Sequence, residues 1–386
     1  MRFIPHNAVT LLESGADFFP ALRTAIEHAR TEIHIETYIF RLDRSTQPIA
    51  DALIAAAQRG VACHVLVDGF GSRDFPDAWR TQFTAAGGQF LFYRPENALW
   101  RLRRSRLRRL HRKLAVIDAR HAFVGGINLH DDCDDALPGF LPRYDYAVAL
   151  RGPIVAPIYS SVKSVWQRTL WFHGHPVIVQ RRPVVIAPAG DLNALFLVRD
   201  NLRHRQSIEA EYLTQIAEAR REILIANAYF FPGFRFRHAI RSAARRGVRV
   251  VLLLQGQIDN PIFFYATQGL FQDFLRDGVE IYTYKAGYLH TKVAVIDRLW
   301  TTVGSSNLDP FSFLLAREAN VVVKNHGFAH KLRTRLLRRI QQHSLRIDPQ
   351  KPEHSSYWQK LLMWSCYGVV RMGFGLAGLG QRYFRR

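Results

Sequence analysis

The chain reads as an α/β protein built from two related halves that contribute to one active site, and two observations predict this. His111-Arg-Lys-Leu-Ala-Val-Ile-Asp118 and His290-Thr-Lys-Val-Ala-Val-Ile-Asp297 share the pattern His-x-Lys-x4-Asp. Each is followed by a glycine-bearing turn and an asparagine, Gly125-Gly126-Ile127-Asn128 and Gly304-Ser305-Ser306-Asn307, with His, Lys, Asp and Asn all repeated at an offset of 179 positions. The second observation is a wider duplication. Arg30-Thr-Glu-Ile-His-Ile35 is answered by Arg220-Arg-Glu-Ile-Leu-Ile225, and Ala55-Ala-Ala-Gln-Arg-Gly-Val61 by Ser242-Ala-Ala-Arg-Arg-Gly-Val248, each of the latter leading into a short apolar run. Helical patterns alternating with such β-branched runs indicate α/β halves with buried sheets. The length suits two domains, each able to bury a core.

Taken in order, the elements place the chemistry. The apolar residues after each motif lysine form a buried strand, in which residues two apart share a face, so His111 points with Lys113 and His290 with Lys292. Two imidazoles and two ammoniums then converge on one anion. A neutral imidazole attacks phosphorus while a protonated one donates to the leaving oxygen, which gives a phosphohistidine and splits one displacement into two. The lysines offset phosphoryl charge, so no metal or other cofactor is expected. Asp118 and Asp297 fall at odd spacing from their histidines and read as orienting, charge-balancing residues, while Asn128 and Asn307 are candidate phosphate donors. Only 8 of the 53 basic residues are lysine, yet both motif positions keep it. A compact point charge is not interchangeable with a guanidinium.

At these residues the chain resembles the phospholipase D superfamily, whose signature is this duplicated motif, and within it the B-type bacterial cardiolipin synthases. Val67-Asp-Gly-Phe-Gly-Ser72, Asp145-Tyr-Ala-Val148, Ala226-Asn-Ala-Tyr-Phe-Phe-Pro-Gly233 and Val303-Gly-Ser-Ser-Asn-Leu-Asp-Pro310 extend the likeness over most of the chain. The resemblance implies two pseudo-symmetric α-β-α sandwich halves packed about a two-fold axis with both motifs at the seam. It also implies phosphatidylglycerol as donor, glycerol as leaving group and a second phosphatidylglycerol as acceptor. His111 is then the nucleophile and His290 the acid and later the base, although the symmetry of the motifs leaves the reverse open. Asp145 and Glu318 are expected to receive the Nδ1 protons of the histidines, with Ser305 in a supporting place. Where the family pattern has Asn two residues before this Glu, the chain has Ala316.

The expected organisation is a first half over 1–175, a linker over 176–190, a second half over 191–350 and an apolar, basic, membrane-associating tail over 351–386. The first half carries extra residues before its motif, Trp100 to Leu110. These read either as a solvated basic loop or as a membrane-facing rim with Trp100, Leu102, Leu107 and Leu110 in the headgroup zone. A net charge of +21 calls for a polyanionic partner, either an anionic membrane surface or nucleic acid. The tail favours the membrane. Leu361 to Gly380 is apolar apart from Ser365 and Arg371 and has Trp, Tyr and Arg near its ends, which suits an interfacial anchor, a span or a helix docked on the fold.

Three widely spaced cysteines imply no disulfide framework, and the amino terminus lacks the apolar core of a signal peptide. The expected location is the cytoplasmic face of a bacterial inner membrane, peripheral or monotopic, with anionic phospholipid as partner and no nucleic acid. His130-Asp-Asp-Cys-Asp-Asp135 has metal-ligand residue types without metal-site spacing and reads as an acidic loop. Phe18-Phe19 and Phe263-Phe264-Tyr265 read as core with an acyl groove as the second option, and Tyr229 equally as core or substrate contact. The competing functions are a phospholipase D or a transferase with another acceptor alcohol, and a nuclease using the same two motifs.

Overall fold

The computed structural model describes residues 2–95, 108–133, 141–174, 176, 185–200, 204–258, 261–310, 312, 315–348 and 357–376. The first half contributes β1 (Ile4–Glu13), β2 (Glu32–Thr37), β3 (Ala62–Asp68), β4 (Gln89–Tyr93), β5 (Lys113–Ile117), β6 (His121–Gly125), β7 (Leu141–Tyr144) and β8 (Tyr146–Arg151). The second contributes β9 (Leu192–Arg199), β10 (Glu222–Asn227), β11 (Arg249–Gln255), β12 (Glu280–Tyr284), β13 (Gly287–Leu289), β14 (Lys292–Ile296), β15 (Trp300–Gly304), β16 (Glu318–Lys324) and β17 (Ser344–Arg346).

Among the described residues, fifteen strands form one sheet in the order β17-β12-β11-β10-β14-β15-β16-β9-β1-β8-β6-β5-β2-β3-β4, and β13 pairs separately with β7. From the β9–β1 seam outward both arms repeat one plan. Antiparallel strands come first, with the motif strand β5 or β14 next to β2 or β10, then three parallel strands, β2-β3-β4 in one arm and β10-β11-β12 in the other, where β17 adds an antiparallel edge. Parallel neighbours need helical crossovers, supplied by Gln47–Gln58 and Asp77–Ala85 in the first half and by Phe234–Arg245 in the second.

Burial on both faces explains why the motif strands read as unbroken apolar runs. All five residues of β5 and of β14 are buried. Their alternation divides them among three cores. Leu114, Val116, Val293 and Val295 enter a core common to both halves, Ala115 and Ile117 enter that of the first half, and Ala294 and Ile296 that of the second. The long helices Val155–Phe172 and His326–His343 lie over the common core through Ile158, Val162, Leu332 and Leu336. Each half is thus an α-β-α sandwich, as expected.

Two expectations are corrected or narrowed. Most of the basic run before His111, including Trp100, Leu102 and Leu107, lies outside the described residues. Leu110 is not in a headgroup zone: it is fully buried and bridges to Arg317 of the other half. Its N–H is held by Asp68 at 2.8 Å, and Arg109 is buried beside the same carboxylate at 3.9 Å. An aliphatic side chain at the seam between the halves gains more from that dry contact than from a wet rim. In the tail, Tyr357–Leu376 is a helix docked on the second half, with Cys366 and Val370 in its core and the Tyr367 ring 5.4 Å from that of Phe231. No helix among the described residues is long and apolar enough to cross a membrane.

Candidate active site

Each motif histidine is held by the opposite half. His111 Nδ1 lies 2.9 Å from Glu318 Oε1 and its backbone N–H donates to Arg317 O at 3.0 Å. His290 Nδ1 lies 2.6 Å from Asp145 Oδ2 and its N–H donates to Tyr144 O at 2.8 Å. A carboxylate on Nδ1 fixes the tautomer and leaves Nε2 to face a reactant. Lys113 and Lys292 are buried between these pairs and donate to the backbone oxygens of His111 and His290 respectively, and Lys292 also lies 3.6 Å from Asp145. Two imidazoles, two ammoniums and two carboxylates therefore meet at the seam.

The electrostatics of the two pairs differ. Burial pushes the Glu318 carboxyl upward, but His111, Lys113 and the Ser305 hydroxyl outweigh it and hold the group below its ordinary value. For Asp145 burial wins over Lys292 and the Tyr146 N–H, and its carboxyl is pushed up to about 6. Burial depresses both histidines; for His290 the neighbouring Lys292 and Arg143 depress it well below its usual value. Burial also brings Lys113 down to about 7 and Lys292 to about 8, against the pull of Glu318 and Asp145 respectively. An added anion would recharge both lysines, since opposite charge favours the protonated form.

Asp118 and Asp297 do not join this cluster. Each sits at the far end of its five-residue strand, about 17 Å along it. Both open the three-residue turn between paired strand ends, Ile117 with His121 and Ile296 with Trp300, and have positive φ, 53° at Asp118 and 52° at Asp297, a left-handed backbone that Asp tolerates better than most residues. The Asp118 carboxylate accepts the N–H groups of Arg30, Thr31 and Glu32, and that of Asp297 those of Arg220, Arg221 and Glu222. Their expected role at the histidines is replaced by anchoring the start of β2 and β10. Asp118→Ala is expected to cost about 1–3 kcal/mol of stability, read by denaturant unfolding, with kcat per folded molecule unchanged. Loss of kcat without loss of stability would contradict this placement.

The glycine-bearing turns serve the carboxylates. A Cβ on Gly126 would lie 2.4 Å from Asp145 Oδ2, so only glycine fits there. Ser305 occupies the matching place in the second half and donates to Glu318 Oε2, which makes it a carboxylate partner rather than a phosphate donor. Asn128 accepts the Ile39 N–H at 3.3 Å, and the buried amide oxygen of Asn307 has no partner among the described residues. Ala316, the departure from the family pattern, is buried, and its carbonyl accepts from Arg199. Elsewhere, His130 binds Arg143 at 2.7 Å and Asp132 accepts the Gly15 N–H at 2.6 Å. Phe18 and Phe19 are core. Sequence reasoning missed Tyr38, whose ring stands 5.1 Å from that of His111, and Arg143, which depresses His290. Neither lies in the repeated motif, so no local pattern marks them.

A family model described as "Cardiolipin synthase, PLD-like domain" matches residues 22–133 and 212–340, the two segments that carry the motifs. Cardiolipin synthase B of Escherichia coli K12 is 41% identical over 362 residues, covering 91% of this chain and 85% of that protein. The chain belongs to the phospholipase D-like cardiolipin synthase family. The major cardiolipin synthase ClsA of Bacillus subtilis is 30% identical over 333 residues, covering 86% of this chain and 68% of that one. The fold is also that of a phosphatidylserine synthase from Haemophilus influenzae, with a TM-score of 0.73 over 99% of this chain and 97% of that one at 14% identity. In this phospholipase D-like chain the paired motifs thus sit on the fold that the duplication predicts.

Proposed function

We propose that the protein is a membrane-associated phosphatidyltransferase that makes cardiolipin from two molecules of phosphatidylglycerol. The observation that carries this reading is the pair of histidines, each backed by a carboxylate from the opposite half, with two buried lysines between them. His111, backed by a carboxylate held ionised, uses Nε2 to attack phosphorus. The P–O bond to glycerol breaks as His290 Nε2–H protonates the departing oxygen. Neutral His290 then takes the proton of the terminal hydroxyl of a second phosphatidylglycerol, whose oxygen attacks phosphorus and releases His111. The His290–Asp145 pair suits the proton-transfer role because Asp145 Oδ2 stands 2.6 Å from Nδ1, where its negative charge, with that of the bound phosphate, supports the imidazolium that burial and Lys292 otherwise disfavour. Lys113 and Lys292 stabilise the phosphoryl oxygens, and Asn128 and Asn307 donate to them.

Phosphatidylglycerol vesicles test the reaction. The expected products are cardiolipin and glycerol in equal amounts. Phosphatidic acid with glycerol would make the protein a hydrolase, and cleavage of single-stranded DNA with inert lipid would make it a nuclease.

The working location is the cytoplasmic face of a bacterial inner membrane. The docked helix Tyr357–Leu376 supports contact with lipid. Leu361, Trp364, Val369 and Met372 are exposed by 48%, 67%, 51% and 61%, and their spacing puts them on one face, opposite Cys366 and Val370. Such a helix lies in the interface plane, with the excess positive charge drawing it to anionic headgroups. Trp364→Ser is expected to weaken binding to anionic vesicles about tenfold, measured by co-sedimentation, with Tm unchanged. Wild-type binding would rule out this face as the anchor.

A further inference from the structure

The two flanks of the site are unequal beside the backing carboxylates. Tyr144 and Arg317 stand in the same place: each gives its carbonyl oxygen to the N–H of the other half's motif histidine, and each precedes the carboxylate that holds that histidine. One residue earlier the chain has Arg143 on the His290 side and Ala316 on the His111 side. Ala316 is buried and offers only its carbonyl, which accepts from Arg199. The His290 flank therefore carries a cation where the matched position of the other flank has none.

Chain geometry aims that cation at the reaction. Tyr144 and Tyr146 meet hydroxyl to hydroxyl on one side of the chain, which leaves Arg143 and Asp145 on the other. Asp145 Oδ2 is the atom 2.6 Å from His290 Nδ1. Accordingly the charge of Arg143 acts on His290 more strongly than that of Lys113, and it reaches Lys292 as well. The side chain is set from two segments: the buried His130 imidazole accepts from the guanidinium at 2.7 Å, and the Arg143 N–H donates to Asp132 O at 2.9 Å. A guanidinium is a planar fork of N–H donors that matches a phosphate.

Making cardiolipin brings two phosphates into the site. The first is the phosphoryl group on His111, whose oxygens the two lysines stabilise. The second belongs to the acceptor, at the other end of the glycerol that carries the attacking hydroxyl. That hydroxyl gives its proton to His290 Nε2 as its oxygen bonds to phosphorus and the bond to His111 breaks, so the acceptor phosphate lies on the His290 side. Repulsion opposes the approach of this second anion, and a further cation offsets it.

We propose that Arg143 binds the phosphate of the acceptor phosphatidylglycerol and makes the His290 flank the acceptor subsite. The inference rests on the transferase reading above and adds what separates a lipid acceptor from a simple alcohol, a second phosphate. A neutral alcohol gains nothing from Arg143.

The test is a competition between two soluble acceptors on the full-length protein, with monomeric short-chain phosphatidylglycerol as donor. Labelled glycerol and glycerophosphoglycerol present the same terminal hydroxyl without and with a phosphate. Both draw on one covalent intermediate, so their product ratio at equal concentration reports acceptor recognition alone. The wild type should favour glycerophosphoglycerol by about 10- to 100-fold, the worth of a charge-assisted hydrogen bond. Arg143→Gln should bring the ratio close to parity, and Arg143→Lys, which keeps the charge and loses the fork, should fall between. Equal use of both acceptors by the wild type would overturn the subsite, as would a preference that Arg143→Gln leaves intact. Slower transfer to both at an unchanged ratio would make Arg143 a modulator of His290 alone and overturn it equally. If Arg143→Gln does not fold, Arg143→Lys decides, and a wild-type ratio there counts against the assignment. Phosphatidic acid with neither alcohol incorporated would instead sink the transferase reading, and the acceptor subsite with it.

Discussion

His111→Ala and His290→Ala are each expected to lower turnover by at least about 10³-fold, because neither half-site supplies both a nucleophile and a proton donor. The double variant should be scarcely worse than either single one, since residues that act as a unit are not additive. EDTA should leave wild-type activity intact, as the lysines perform the charge neutralisation. Rapid denaturation at alkaline pH, where a phosphohistidine persists, with phosphorus-labelled phosphatidylglycerol should put the phosphoryl group on the peptide bearing His111. Label on His290 would exchange the two roles and keep the two-step scheme. A tenth of wild-type activity in either single variant would end the shared-site scheme.

Glu318→Gln and Asp145→Asn should each cost about 10²- to 10⁴-fold in kcat, since an amide no longer enforces the tautomer that leaves Nε2 free. The two differ in pH dependence. Protonating Asp145 removes the acceptor for His290 Nδ1–H, so wild-type kcat/KM should fall as pH drops through about 6. Glu318 is held below its ordinary value and stays ionised through that range. The acid limb near 6 should therefore vanish in Asp145→Asn and persist, at lower amplitude, in Glu318→Gln. Persistence of the limb in Asp145→Asn would assign it to another group.

The local code was informative where it concerned residue type and period. The repeated His-x-Lys, the apolar runs after it and the matched Arg-Gly-Val elements were enough to predict two α/β halves and one shared site, because buried strands and helix crossovers leave short-range patterns. The same reading misjudged Asp118 and Asp297. Strand periodicity placed them on the opposite face, but a hairpin turn ends each strand one residue earlier and turns the carboxylate to three backbone N–H groups instead. Leu110 was misjudged for a related reason: in sequence it closes a basic run, and in space it lies between the halves.

Spacing and side-chain chemistry alone pointed to phosphoryl transfer, to the histidines and lysines proposed to carry it, and to the architecture of repeated halves. Which carboxylate serves which histidine was a matter of long-range geometry. His111 and Glu318 are 207 residues apart, His290 and Asp145 are 145 apart, and each pair forms only because the halves meet along β1 and β9. The same packing makes Glu318 and Asp145 differ in acidity and sets the Tyr38 ring against His111. Burial, neighbouring charge and free volume are properties of the assembled seam, and no stretch of sequence carries them on its own.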